Sequence, residues 1–463
     1  MQNVEIRKFK KVLVANRGEI AIRVYRALNE LGIQTVGIFS KEDKYALFRT
    51  KTDEAYMLNP EKGPLDAYLD IKNIIKIAKA KGVDAIHPGY GFLSENPEFV
   101  EACEKEGIAF IGPNVDVMYK MGDKISSKKM AIECNVPIIP GVDHAVRSLD
   151  EVMEVARKVG YPVMLKASNG GGGRGMRIVN SEEEMPKEFE EARNEAKKAF
   201  GDDKIFVEKY LRDPKHIEVQ VLGDKYGNVV HLFDRDCSVQ RRHQKVIEFA
   251  PAFTVSQPVR EKILADAVRL SKHVGYKNAG TLEFLVDADE NYYFIEMNPR
   301  IQVEHTVTEM VTGIDLVREQ LRIAAGLPLS VKQEDVVLRG HAMECRINAE
   351  DPTQDFRPAL GTTRFVHFPG GPGVRVDSML YNGYEVSPYY DSLVAKVIVH
   401  APTRLEAIRR MRRCLEEMII EGYPTTADFC HLILHHPDFV KGQYDTGFLA
   451  AHQDELLGWD KED

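Results

Sequence analysis

The sequence predicts a chain built from α/β and α+β lobes, on three observations. The first ~115 residues alternate apolar strand-like runs with helix-period stretches, the pattern of a parallel sheet. A glycine cluster, Asn169 to Gly175, lies between two strand-like runs rather than ahead of a helix. Beyond it, runs rich in Val, Ile and Phe form a hairpin that carries acids at matched positions. At 463 residues the chain is too long for one core, since a domain takes ~100–200 residues.

Lys11 to Asn16 reads as a buried strand, and Ile20, Val24, Ala27, Leu28 and Leu31 as one helical stripe that Gly32 ends. A strand at Thr35 to Phe39, a helix at Leu69 to Lys81 and strands at Val83 to His87 and Ile108 to Ile111 complete a Rossmann-like N-lobe. Its first turn, Asn16-Arg17-Gly18-Glu19, lacks the three glycines that let a pyrophosphate approach the backbone. The second lobe begins with helices at Lys124 to Glu133 and Leu149 to Val159. Strands at Pro162 to Ala167 and Met176 to Val179 and a charged helix ending near Ala199 come next. Strands at Ile205 to Glu208, Ile217 to Val221 and Val229 to Asp234 and a hairpin over Thr281 to Asn298 follow. From Leu338 short strands (Ala342 to Ile347, Thr363 to His367, Leu393 to Val399) mix with one helix, Thr403 to Met418. The expected domains are 1–123, 124–330 and 331–463.

Composition sets limits. Against 62 Lys and Arg stand 71 Asp and Glu, a net charge of −9, so a duplex-binding surface is not expected. No apolar run approaches the ~20 residues of a membrane span, and the apolar run Val12 to Ala15 is too short for a signal-peptide core. A cytoplasmic protein with no membrane or nucleic-acid partner is expected. The six cysteines are scattered and read as free thiols. Cys430, His431 and His435 fall at helical spacing and read as a helix face rather than a metal site.

The chemistry gathers in the second lobe. A glycine loop between strands is a hairpin flap whose backbone N–H groups close over phosphates, with Lys166 supplying a point charge. With a turn centred between Asp289 and Glu290, Glu283 falls opposite Glu296, and Asn298 shares the face of Glu296. Like charges so opposed need a neutralising partner. Two carboxylates and an amide oxygen suit Mg²⁺ or Mn²⁺. Arg235 to Lys245, read as lying between strands, and Arg300 to His305 together suggest a pocket for a small oxyanion.

These residues resemble the biotin carboxylases. The resemblance rests on the flap, on Gln240-Arg241-Arg242-His243-Gln244-Lys245, on Glu296 to His305 and on Arg346 to Pro352. It extends to Ala15 to Ala21 and His87 to Asn96, so that it spans about residues 8 to 450. Ser40 to Asp43, Asp53 to Tyr56 and Glu304 to Glu309 look closest to the pyruvate carboxylase branch; Asn169 and Ala359-Leu360 depart from the family pattern. The resemblance implies a Rossmann-like N-lobe, an ATP-grasp domain with a glycine-rich lid and a mixed α+β C-terminal lobe. It implies ATP, two Mg²⁺ or Mn²⁺ ions, bicarbonate, and biotin as a carrier-bound substrate carboxylated through carboxyphosphate.

By the same resemblance Lys124, Lys166, Gly172, Gly173, Glu208, Lys209, Leu211, His216, Gln240, His243, Glu283 and Glu296 bind ATP. Glu283, Glu296 and Asn298 hold metal; Lys245, Arg300, Gln302, Val303 and Glu304 surround bicarbonate; Tyr90 and Arg346 face biotin. The catalytic set is Arg300, Glu304, Lys245 and Arg346, with Glu304 the base beside Arg300 and Lys245. No Met-Lys-Met attachment site is present, so the biotin carboxyl carrier protein and carboxyltransferase are expected on other chains. A homodimer is expected, through a helix face carrying Arg23, Arg26 and Glu30. The alternatives are another ATP-grasp carboxylate ligase or a catalytically silent nucleotide-binding subunit. The final acceptor, pyruvate, acetyl-CoA or another, stays open.

Overall fold

The structure is a computed structural model describing residues 6–122, 124–142, 144–146, 148–167, 176–200 and 203–459. Strands β1 (Lys11–Val14), β2 (Gln34–Phe39), β3 (Glu54–Met57), β4 (Ala85–His87) and β5 (Ala109–Phe110) form an all-parallel sheet in the order β3-β2-β1-β4-β5. Helix α1 (Gly18–Glu30) follows β1 and buries Ile20, Val24, Ala27 and Leu28, whereas Leu31 beyond its end is exposed. Side chains fill the first turn: Asn16 donates to the Pro88 and Tyr90 carbonyls, and Arg17 grips Asp43 at 2.8 Å. The helix expected over Leu69 to Lys81 is Ile71–Ala80, and a separate short helix, Pro64–Tyr68, precedes it. Between them Asp70 caps the longer helix by accepting the Asn73 N–H.

A small antiparallel sheet, β6 (Val163–Ala167), β7 (Met176–Val179) and β8 (Ile205–Lys209), forms the lid in the order β7-β6-β8. Residues 168–175, the glycine cluster, lie outside the described residues. The lid has its own core, in which Val163, Leu165, Val179 and Val207 pack on Phe189, Ala192 and Ala196 of the helix Met185–Phe200.

The body is one eight-stranded sheet. It includes β9 (Lys215–Gly223), β10 (Val229–Arg241), β11 (Gln244–Ala250), β12 (Asn278–Val286), β13 (Tyr292–Asn298) and β14 (His341–Asn348). The order is β13-β12-β9-β10-β11-β14, continued by strands Leu393–Ala401 and Val374–Ser378. One apolar core runs from α1 through this sheet to the C-terminal helices, so the lobes share an interior.

The basic run Arg235 to Lys245 does not sit between strands. Arg235 to Arg241 lie in β10 and Gln244-Lys245 in β11, and only Arg242 and His243, both at positive φ, form the connecting turn. The third lobe holds more than its one expected helix: Ala427–His435, Pro437–Lys441 and Phe448–Trp459 follow Arg404–Glu417. All but the last are short and broken by prolines, which blunts the periodic signal. Cys430 points inward, while His431 and His435 flank Glu416 on the surface. Arg23 is also buried, held by Glu309 and Asp315 at 2.7 Å each, so of the expected dimer-face residues only Arg26 and Glu30 are exposed.

Candidate functional site

The site stands on the body sheet, where period two points alternate charged residues to one face. Lys245, near the start of β11, meets three carboxylates: Glu218 of β9, Glu283 of β12 at 3.6 Å and Glu304 at 2.6 Å. Glu304 lies just before the helix His305–Thr312 and is 2 % exposed. Its second oxygen accepts from Arg346 Nη2 at 2.9 Å, so it sits between two cations. Arg300 takes no part in that pairing: it donates to Asn298 Oδ1 at 3.0 Å and pairs with Glu95 at 3.1 Å. Its side chain is aimed back along the end of β13, and Arg346 reaches Glu304 from β14 instead.

Electrostatics keep the centre charged. Burial works against the charge on Lys245, but Glu218, Glu283 and Glu304 outweigh it and raise its pKa well above the usual lysine value. Burial likewise opposes ionisation of Glu304, yet Lys245 and Arg346 hold its carboxyl below the ordinary carboxylate range. A general base must be ionised and within reach of its proton, and Glu304 meets the first condition. Beneath it lies Arg235, fully buried, bound to Glu218 at 3.0 Å and donating to Gln302 Oε1 at 2.6 Å.

The opposed acids occur as expected: Glu283 is in register with Glu296, and Thr281 with Asn298. The turn itself is centred on Asp289, and a bulge beside Glu283 restores the register. His216 neutralises Glu283 at 3.0 Å, while Asn298 and Gln302 donate to it at 2.8 and 2.9 Å. Burial opposes charge on His216, but Glu283 and Glu218 push its pKa up to about 9, so imidazolium and carboxylate form a buried pair. The donor set fits a hard divalent cation. Two opposed carboxylates supply charge, and rotation of the Asn298 amide would present its oxygen beside them.

A second cluster belongs to the lid. Glu208 accepts from Lys166 and, at 3.0 Å, from Lys128. Lys209 is turned away and donates to the Gly160 and Tyr161 carbonyls at 2.8 and 3.0 Å, and Leu211 is half-buried at the lid's exit. In the body sheet Gln240 of β10 bonds the His216 ring of β9 at 3.0 Å, whereas His243 is exposed at the tip of its turn. Gly172, Gly173 and the Lys124 side chain lie outside the described residues. Beside Arg346 and Lys245, Arg241, Gln244, Asn348 and Phe356 line a narrow cleft. Tyr90 donates its hydroxyl to Glu19, which also holds the fully buried Lys396 at 3.2 Å. Val303 contributes its carbonyl, which accepts from Lys396 at 2.8 Å.

Three family models cover this architecture. The biotin carboxylase N-terminal domain matches residues 8–118, the carbamoyl-phosphate synthase L chain ATP-binding domain 123–332 and the biotin carboxylase C-terminal domain 344–451. The chain belongs to the biotin carboxylase family. Biotin carboxylase 1 of Bacillus subtilis is 49 % identical over 96 % of this chain and 98 % of its own. A pyruvate carboxylase subunit of Methanothermobacter thermautotrophicus is 51 % identical over 96 % and 90 %. The biotin carboxylase domain of Hydrogenobacter thermophilus 2-oxoglutarate carboxylase was solved as a dimer with MgADP, ADP and bicarbonate. It superimposes with a TM-score of 0.91 at 51 % identity, covering 97 % of this chain and 98 % of that one. As a biotin carboxylase, the chain is an ATP-dependent ligase of ATP-grasp architecture. Among the described residues no helix is long and apolar enough to cross a membrane.

Several residues of the centre escaped the sequence reading. Glu218, Glu248, Glu344 and Lys396 are all buried in strands, and Lys128 reaches the lid cluster from its helix. The available signal was a lone charge inside an apolar strand, as in Ala342-Met343-Glu344-Cys345, since unpaired charge is seldom buried.

Proposed function

We propose that this biotin carboxylase uses ATP and bicarbonate to carboxylate biotin on a carrier protein of another chain. The observation that carries the reading is Glu304 held ionised between Lys245 and Arg346. Glu304 takes the proton of bicarbonate, and Lys245 and Arg300 hold the resulting oxyanion against the γ-phosphate. The bicarbonate oxygen attacks phosphorus, the bond to ADP breaks, and carboxyphosphate forms. A divalent ion at Glu283, Glu296 and Asn298 would neutralise charge on the phosphates. Lys166 of the lid and Lys128 of the helix Lys124–Glu133, both paired with Glu208, orient the nucleotide. Carboxyphosphate then releases CO₂ and phosphate in a site that must exclude water. Biotin's ureido nitrogen gives its proton to the released phosphate and attacks CO₂, while Arg346, charged at any working pH, stabilises the enolate-like oxygen.

The chain works as a homodimer on this reading, as the Hydrogenobacter domain was solved. Its carrier and carboxyltransferase reside elsewhere, as in relatives described as subunits. Relatives of pyruvate and 2-oxoglutarate carboxylases match equally, at 51 % identity each, so the acceptor is a keto acid or another small acyl compound.

ATP turnover by the purified chain tests the reading. It should require bicarbonate and rise when free biotin is added, and Glu296→Gln should abolish it at limiting Mg²⁺ while the fold persists. Turnover indifferent to bicarbonate would point to another ATP-grasp ligase, and no turnover at all to a silent nucleotide-binding protein.

A further inference from the structure

Two buried acids stand behind Arg346 without a role in the steps above. Glu248 of β11 and Glu344 of β14 are directly opposed in register, and both are fully buried. Such positions place their Cβ atoms ~5 Å apart, where like charges repel. Glu248 Oε1 accepts from Arg346 Nε at 2.5 Å, and Glu344 Oε2 accepts from the Thr306 hydroxyl. The remaining oxygens, Glu248 Oε2 and Glu344 Oε1, are buried with no hydrogen-bond partner. One proton placed between two orphan acceptors would satisfy both.

Charged groups face the pair from the neighbouring elements. Around Arg346 the buried acids are Glu19, Glu218, Glu248, Glu283, Glu304 and Glu344. Facing them are Arg235 of β10, Lys245 of β11, Arg346 of β14, Lys396 of the neighbouring strand and His216 on β9. Also packed on the pair are the Cys237 thiol of β10 and the Tyr90 hydroxyl, both with pKa values raised far above neutral by burial and so uncharged. Burial is the main cause that pushes Glu248 up to about 7 and Glu344 up to about 8.

We propose that Glu248 and Glu344 form an acid pair sharing one proton, a positioning device that holds Arg346 by its Nε edge while adding a single negative charge beside it. Arg346 already carries the charge of Glu304 on Nη2. A second full charge next to it would weaken its pull on a developing enolate oxygen, so the biotin step requires the protonated pair. This rests on the reading that Arg346 serves biotin.

The test is the pH profile of biotin-stimulated ATP turnover, relative to bicarbonate-dependent turnover without biotin, for the wild-type chain and Glu344→Gln. Wild type should lose biotin stimulation as pH rises from about 7 to about 9. Glu344→Gln fixes the pair at one negative charge, so it should match wild type within about threefold at neutral pH and keep its stimulation in alkali. Glu248→Gln, which removes the grip on Arg346, should raise KM for biotin by about tenfold. An alkaline limb unchanged in Glu344→Gln overturns the proposal, as does a folded Glu344→Gln without biotin stimulation at neutral pH. If the variants fail to fold, infrared titration of the wild-type chain decides: a protonated carboxyl band surviving to neutral pH supports the pair, and its absence overturns it. Wild type without any biotin stimulation would instead bring down the assignment of Arg346 to biotin.

Discussion

The lid and the body solve different problems with different construction. The lid is a three-stranded sheet closed by its own apolar cluster, with Glu208 pairing Lys166 and Lys128 at its edge. The body is a single sheet on a core shared by three lobes, and its polar face is packed with charges that neutralise one another in place. A separately cored unit can shift as a body without breaking its neighbours. A shared core with interlocked buried charges cannot, because displacing one ion leaves its partner uncompensated. On the proposed reading the chemistry is therefore set in the body before nucleotide arrives, and the lid supplies grip.

Substitutions should separate these roles. The largest effect is expected from Glu304→Gln in the body, which removes the proposed base. Bicarbonate-dependent turnover should fall by roughly 10²–10⁴-fold with ATP affinity retained; a raised KM for bicarbonate at normal kcat would make Glu304 an orienter instead. A lid change should do the reverse. Glu208→Gln frees Lys166 and Lys128 from their shared partner and should raise KM for ATP by about tenfold, leaving kcat near wild type. Loss of kcat without change in KM would place Glu208 in the chemistry and erase the division.

A smaller effect distinguishes the shared core by pH. His87 is buried and neutral: Nδ1 accepts the Gly89 N–H at 3.0 Å, and Nε2 donates to Gln320 at 3.1 Å. Burial lowers its pKa to about 4, and that of His305 to about 3. The unfolded chain takes up these protons near pH 6.5, the ordinary value, while the folded chain refuses them. The stability these two histidines contribute should thus be complete above about pH 6.5 and be lost as pH falls towards 4. His87→Gln should flatten part of that slope in melting temperatures measured across the range, and a slope unchanged by the substitution would assign the acid sensitivity elsewhere.

Much of the lid and the N-lobe could be read from sequence because their signals are local. The alternation of strand and helix pointed to the parallel sheet, and β6 and β7 flank the glycines as expected. The opposed acids were legible because turn counting needs only the hairpin's own residues. The body's centre was less so. Arg235 reads as part of a basic run lining an oxyanion pocket, yet it is fully buried because Glu218, Gln220, Thr281, Gln302 and Thr308, distant in sequence, converge on it. Arg346 replaces Arg300 beside Glu304 for the same reason: the choice is made by strand order, which periodicity does not carry.

Hydrogen exchange of the full chain, with and without a non-hydrolysable ATP analogue and Mg²⁺, tests the division most directly. The account predicts that protection rises along β6, β7 and β8, while β10, β11 and β14 exchange as slowly without nucleotide as with it. Equal gains in the body strands, or an unchanged lid, would contradict it.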